Sequence, residues 1–163
     1  MMRGSGDKQR ATRREFEAFF HRCEPRLVQA LVATYGPHDG RVAAADALSW
    51  AREHWDEVAV LSNPGAYLFR VGQSSTRRTI SRPLPNLFVG QPYDEMADVT
   101  PELLPALARL SATQRVVVLL VHGYGWSQRD VAELLDVSPS TVHQHVNRAM
   151  QCLRAELEVP DAH

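Results

Sequence analysis

The sequence predicts an all-α protein, built as two small helical bundles joined by an irregular linker. Apolar residues recur at three- and four-residue steps along most of the chain, and nothing alternates like a strand over a useful length. Helix-start and helix-stop residues punctuate the rest, except between Pro83 and Thr100, where Pro83, Pro85, Gly90 and Pro92 gather.

The elements follow in order. Residues 1–11 read as a disordered basic tail, with Arg3, Lys8 and Arg10 but no apolar run of the kind a secretory signal needs. Phe16, Phe20, Cys23, Leu27 and Leu31 mark an amphipathic helix over roughly 12–35, which Tyr35-Gly36-Pro37 stops. Val42 to Val60 is a second, Ala-rich helix with Leu48, Ala51 and Trp55 on one stripe. Asn63-Pro64-Gly65 breaks the chain. Pro64 suits a first turn, so Ala66 to Ser81 forms a third helix, apolar at Tyr67, Leu68 and Val71 and basic towards its end. Residues 12–83 thus make one bundle, 84–100 a linker and 101–159 a second bundle.

The second bundle is a series of helix starts. Thr100-Pro101-Glu102 offers an N-cap, an N1 proline and a first-turn acid. Ser111 to Gln114 is a capping box opening an apolar helix to His122, which Gly123 and Gly125 end. Ser127 to Asp130 is a looser box, and Ser138-Pro139 opens the last helix.

Composition narrows the function. The chain is 44% hydrophobic and 23% charged, as in soluble globular proteins, and no apolar run reaches the roughly 20 residues of a membrane span. Cys23 and Cys152 lie far apart with no C-x-x-C, which points to a reduced, cytoplasmic protein, with Cys23 as a core thiol. His143 and His145 point about 200° apart on a helix and cannot chelate, so no metal is expected, nor any other cofactor. No Ser-His-Asp set or Gly-rich phosphate loop is visible, so an enzyme is not expected. Charge is uneven: residues 1–83 carry +4, 84–100 carry −3 and 101–163 carry −2. The basic half suits phosphate and the acidic middle does not.

The stretch SQRDVAELLDVSPSTVHQHVNRAM carries the sharpest signal. Val131, Ala132 and Leu135 form the inner stripe of one short helix. Val142, Val146, Ala149, Met150 and Leu153 form that of the next, within a sector of about 100°. Asp136-Val137 is the turn, with Val137 free to plug the angle and Asp136 where a positive φ is usual. Small Ala132 allows a close crossing. This is a helix-turn-helix. The outer sector of its second helix holds Ser140, Gln144 and Asn147, flanked by His143 and Arg148, and faces a DNA major groove in such a motif. Gln and Asn pair with adenine edges, Ser bonds several bases, and Arg148 holds phosphate or guanine. The free amides behind Ser138 and Pro139 receive a phosphate.

From Leu107 to Leu157 the pattern, including ARLSATQRVVVLLVHGYGWSQRDVAELLDVSPSTVHQHVNRAMQCLR, resembles region 4 of the extracytoplasmic-function sigma factors of bacterial RNA polymerase. FEAFFHRCEPRLVQALVATYG, ALSWAREHWDEV and NPGAYLFRVGQSSTRRTISR resemble their region 2. The resemblance implies that core RNA polymerase is a partner, through its clamp and flap, with promoter DNA as the second. It implies −35 contacts at Ser138, Ser140, Thr141, His143, Gln144, Asn147 and Arg148, and −10 contacts at Arg70, Gln73, Ser74, Arg77 and Arg78, with Arg14, Tyr67 and Phe69 nearby. It places polymerase contacts at Asp39, Asp46 and Trp50. It also implies an anti-sigma partner that holds both halves together and masks the DNA faces; no membrane partner is implied. Two departures stand out: Asp39 and Asp46 are fewer acids than the family's cluster, and Arg70-Val-Gly-Gln-Ser74 ends in Ser where the family carries Asn. Three readings follow. One is a promoter-specificity subunit; one is a helix-turn-helix regulator that does not bind core polymerase; one is a protein-interaction module with a vestigial helix-turn-helix.

Overall fold

The computed structural model describes residues 4–79 and 102–157, without the side chains of 4, 5, 7 and 77–79. Every regular element among them is helical: α1 (Gly4–Tyr35), α2 (Pro37–Glu53), α3 (Trp55–Val58), α4 (Pro64–Thr79), α5 (Leu103–Arg109), α6 (Ala112–Val118), α7 (Gln128–Leu135) and α8 (Pro139–Glu156). A π-turn over Leu119–Gly123 prolongs α6. None of these helices is long and apolar enough to cross a membrane.

The first helix begins well before residue 12, so residues 4–11 are helical where a tail was expected. Beyond Asp7 that stretch is Lys, Gln, Arg and Ala, which are good helix formers. Thr12 Oγ1 also donates to the Lys8 carbonyl at 2.9 Å, and Arg13 pairs with Glu17 one turn on. Pro25 sits inside α1 on an exposed position, where the carbonyl it leaves unpaired meets water. The second helix starts at Pro37 rather than Val42, because Gly36 turns the chain at φ 85° and Pro37 fits the first turn. It breaks at His54, whose ring Nδ1 and backbone N–H both meet the Trp50 carbonyl, so the expected run to Val60 splits in two. Asn63 caps α4 by accepting from the Ala66 N–H at 3.0 Å, two residues earlier than expected. The expected end of that helix at residue 81, the linker and the Thr100-Pro101 cap lie outside the described residues.

The later caps stand as expected. Ser111 and Gln114 form the reciprocal box, Ser127 accepts from Asp130 N–H, and Ser138 accepts from Thr141 N–H with Pro139 at N1. Asp136 is left-handed at φ 56°, ψ 48°, and lets the Val137 N–H return to the Ala132 carbonyl. Val137 does not plug the turn. It is 40% exposed, and buried Val131, Ala132 and Val142 fill that wedge instead.

The two helical groups, α1–α4 and α5–α8, share one core. Leu27, Leu31, Leu68 and Phe69 from the first join Val117, Leu120, Trp126 and Val131 from the second. A smaller core under α5 gathers Leu107, Leu110, Val118, Ala149 and Leu153. The π-turn and Gly125, at φ 71°, deliver Trp126 to α1, where its Nε1 donates to Gln29 Oε1 at 2.8 Å. Cys23 packs against the shared core, and burial pushes its thiol up to about 11.

Candidate nucleic-acid interface

On α8 the aliphatic stripe is seated and the polar one is free. Val142, Val146, Ala149 and Leu153 are buried, while Ser140, His143, Gln144, Asn147 and Arg148 are all exposed. Ser138 Oγ lies 2.9 Å from Ser140 Oγ and 2.8 Å from Thr141 Oγ1, so the three hydroxyls cluster at the helix start. Thr141 is half-buried beneath them.

Further along, His143 links two helices. Its Nδ1 lies 3.3 Å from Gln128 Oε1 on α7, and its Nε2 lies 3.0 Å from Asn147 Nδ2. One neutral tautomer, protonated on Nδ1, satisfies both contacts. Asn147 keeps one amide hydrogen and its carbonyl oxygen uncommitted, the donor and acceptor pair that an adenine edge matches. Sequence reasoning missed Gln128, which reveals itself only when α7 and α8 are set side by side. Where α8 reads duplex DNA through Asn147, His143→Ala is expected to weaken discrimination at the base pair that Asn147 meets, by up to about 1 kcal/mol, because the amide loses its tether. Binding of duplexes varied at single positions checks this; a loss confined to a different base pair contradicts the tether.

The predicted −10 residues lie along α4 and are only partly free. Arg70 is exposed but reaches Asp136 of the helix-turn-helix at 3.8 Å. Gln73 is half-buried in a cleft of about 290 Å³ that also includes Phe69, Leu134, Asp136 and Val137. Ser74 is exposed. The backbones of Arg77 and Arg78 continue α4, and their side chains lie outside the described residues. Phe69 is buried, Tyr67 is half-buried, and Arg14 is exposed on α1, away from this group along the sequence.

Asp39, Asp46 and Trp50 share one narrow stripe of α2, within about 40° of each other at 100° per residue. Asp46 accepts from Ser75 Oγ on α4 at 2.8 Å. Trp50 stacks on His54 with ring centroids 4.3 Å apart and meets Tyr67 at 5.6 Å. Trp55 instead packs against Phe16 and Phe19, as a core aromatic.

The family described as sigma-70, region 4, matches residues 102–153. These residues resemble a sigma region 4 domain in sequence. They contain α5 to the greater part of α8, including the whole helix-turn-helix. No curated protein matches the chain in sequence. Among solved structures, the sigma factor RpoE of Bartonella quintana, in complex with the anti-sigma factor NepR, is similar at 22% identity and TM-score 0.58, over 90% of this chain and 99% of that one. CnrH, in complex with the cytosolic domain of CnrY, is similar at 23% identity and TM-score 0.59, over 91% of each chain. The expected resemblance to sigma factors therefore stands by sequence for region 4 and by fold for nearly the whole chain.

Proposed function

We propose that the chain is a sigma factor that directs core RNA polymerase to promoters. In this reading α8 reads the −35 element as duplex, and α4 engages the opened −10 element through Arg70, Gln73, Ser74, Arg77 and Arg78. The observation that carries it is the outward row Ser140, Gln144 and Asn147 on a capped helix, within a segment that matches region 4. Major-groove readers place such donors and acceptors on the outer face of the second helix. The stripe of Asp39, Asp46 and Trp50 is the polymerase-facing surface in this account, meeting the clamp, while region 4 meets the flap. An anti-sigma protein is a further partner, by extension from RpoE with NepR.

Run-off transcription with core enzyme on fragmented genomic DNA tests the proposal. The expected result is discrete transcripts that need the added chain. Core enzyme that gives the same products with and without it sinks the reading.

One observation favours the regulator that works without polymerase. Asp46, a central acid of the polymerase-facing stripe, is already bonded to Ser75. Failure to co-elute with core polymerase, with duplex binding retained, selects that reading.

A further inference from the structure

Two surfaces of opposite charge meet where the halves pack. α7 and its cap carry Asp130, Glu133 and Asp136 at three-residue steps, so these acids follow one edge of the helix. α1 and α4 face them with Arg26 and Arg70. Arg26 Nη2 donates to Asp130 Oδ2 at 3.0 Å, and its guanidinium lies 4.4 Å over the Trp126 ring. Asn63 Nδ2 donates to the Glu133 carbonyl at 3.0 Å, and Arg70 reaches Asp136. Arg26 therefore meets a carboxylate and an aromatic face at once, a geometry that suits guanidinium and not ammonium.

We propose that the acidic edge of α7 occupies, within the same chain, part of the surface that region 2 offers to DNA, and that Arg26 is the latch that holds it there. The proposal rests on the reading of α4 as a −10 helix. The carboxylate of Asp136 stands where a strand's phosphate would otherwise meet Arg70, and the Arg26–Asp130 pair holds α7 in that place. The charge asymmetry of the two halves then has a cause: the basic half needs phosphate in one state and an internal substitute in the other.

Distance shows why the contact must break. Promoter elements centred at −35 and −10 lie about 25 base pairs apart, or roughly 85 Å at about 3.4 Å per pair. A compact chain of 163 residues has a radius of gyration of about 15 Å, so the closed form cannot touch both. Thr79 and Leu103 are 24 peptide steps apart, which reach roughly 80 Å when extended, so the connection permits the halves to separate. The −35 face of α8 is exposed in the closed form, whereas on α4 Ala66 is buried, Gln73 is half-buried and Arg70 is engaged by Asp136.

Cys23 reports on closure. It lines a cavity of about 230 Å³ between the halves, with Arg26, Asn63, Ala66, Trp126 and Asp130. The test is alkylation of Cys23 by iodoacetamide in the full chain, read by peptide mass spectrometry, together with hydrogen exchange over residues 63–70. Arg26→Glu sets two carboxylates against each other. It is expected to raise the alkylation rate at least about fivefold and to speed exchange over 63–70. Adding Asp130→Arg rebuilds the pair with reversed sign and returns both readouts to within about twofold of the parent. A local charge effect has the opposite sign, because a carboxylate one turn from the thiol raises its pKa and slows alkylation. Gln29→Ala, which removes the acceptor of Trp126 Nε1, is a milder opening variant should Arg26→Glu fold poorly. Unchanged rates in both opening variants, or fast rates that Asp130→Arg leaves fast, overturn the latch. Neither readout contains DNA or polymerase, so a failed latch and a failed promoter reading are separate results.

Discussion

Gly40→Ala is expected to destabilise the chain by about 3 kcal/mol or more, at the upper end of overpacking penalties. A Cβ at position 40 falls 2.5 Å from the Cα and N of Val32 and 2.6 Å from the Leu31 carbonyl carbon. Those atoms belong to the backbone of α1, and no rotamer change can clear them. Relief requires α1 and α2 to move apart, and the two helices carry much of the core of the α1–α4 group, including Leu27, Leu31, Ala43, Ala47 and Leu48. A loss of that size is a large part of the 5–15 kcal/mol that holds an ordinary domain folded. Denaturant unfolding measures it. Gly6→Ala is the matched control, because nothing lies within 4 Å of its added methyl. That change is expected to leave stability equal or raise it by roughly 0.5–1 kcal/mol, through helix propensity alone. A Gly40→Ala chain within about 0.5 kcal/mol of the parent contradicts the close crossing.

Arg115→Ala is expected to cost about 2–4 kcal/mol and to loosen α5 from α6–α8. Arg115 is only 7% exposed. Its Nε donates to the Leu107 carbonyl and its Nη2 to the Leu110 carbonyl, both at 3.1 Å. These oxygens end a seven-residue helix, which is too short to hold itself together in water. The guanidinium therefore caps α5 from the next helix. Desolvation lowers the Arg115 pKa, yet a guanidinium remains charged at any working pH. Removing it strands the buried Leu110 carbonyl and leaves the Leu107 carbonyl only the Leu110 N–H at 3.2 Å. Arg115→Lys offers a point charge in place of a fork and is expected to recover less than half of the loss. Calorimetric unfolding of the three chains checks the order, and equal midpoints for Arg115→Ala and the parent contradict the cap.

What the sequence revealed was what short stretches of chain decide. The Ser111, Ser127 and Ser138 caps, the left-handed Asp136 and the seated stripe of α8 all depend on neighbours within a turn or two. The break at His54 and the early start of α1 are also local. They were missed because a ring contact with a carbonyl and a run of good helix formers leave no apolar period to follow. Non-local features left no trace. Leu134 falls outside the inner stripe assigned to α7, yet it is buried, because α1 and α4 cover that side. Arg26, Gln29 and Trp126 are unremarkable in sequence, and only the docking of one half on the other makes them partners. For the candidate site the same division holds. The α8 surface was legible residue by residue, whereas Gln128 behind His143 and Asp136 against Arg70 were not.

Selection of bound duplexes from a randomised pool, comparing the parent with Asn147→Ala and Arg148→Ala, bears most directly on the reading of α8. A helix that reads bases through its outer face predicts that Asn147→Ala erases preference at one position, by about 1–3 kcal/mol, and that Arg148→Ala weakens every sequence alike. A parent chain that enriches no sequence, or an Asn147→Ala chain that enriches the same sequence to the same degree, contradicts it.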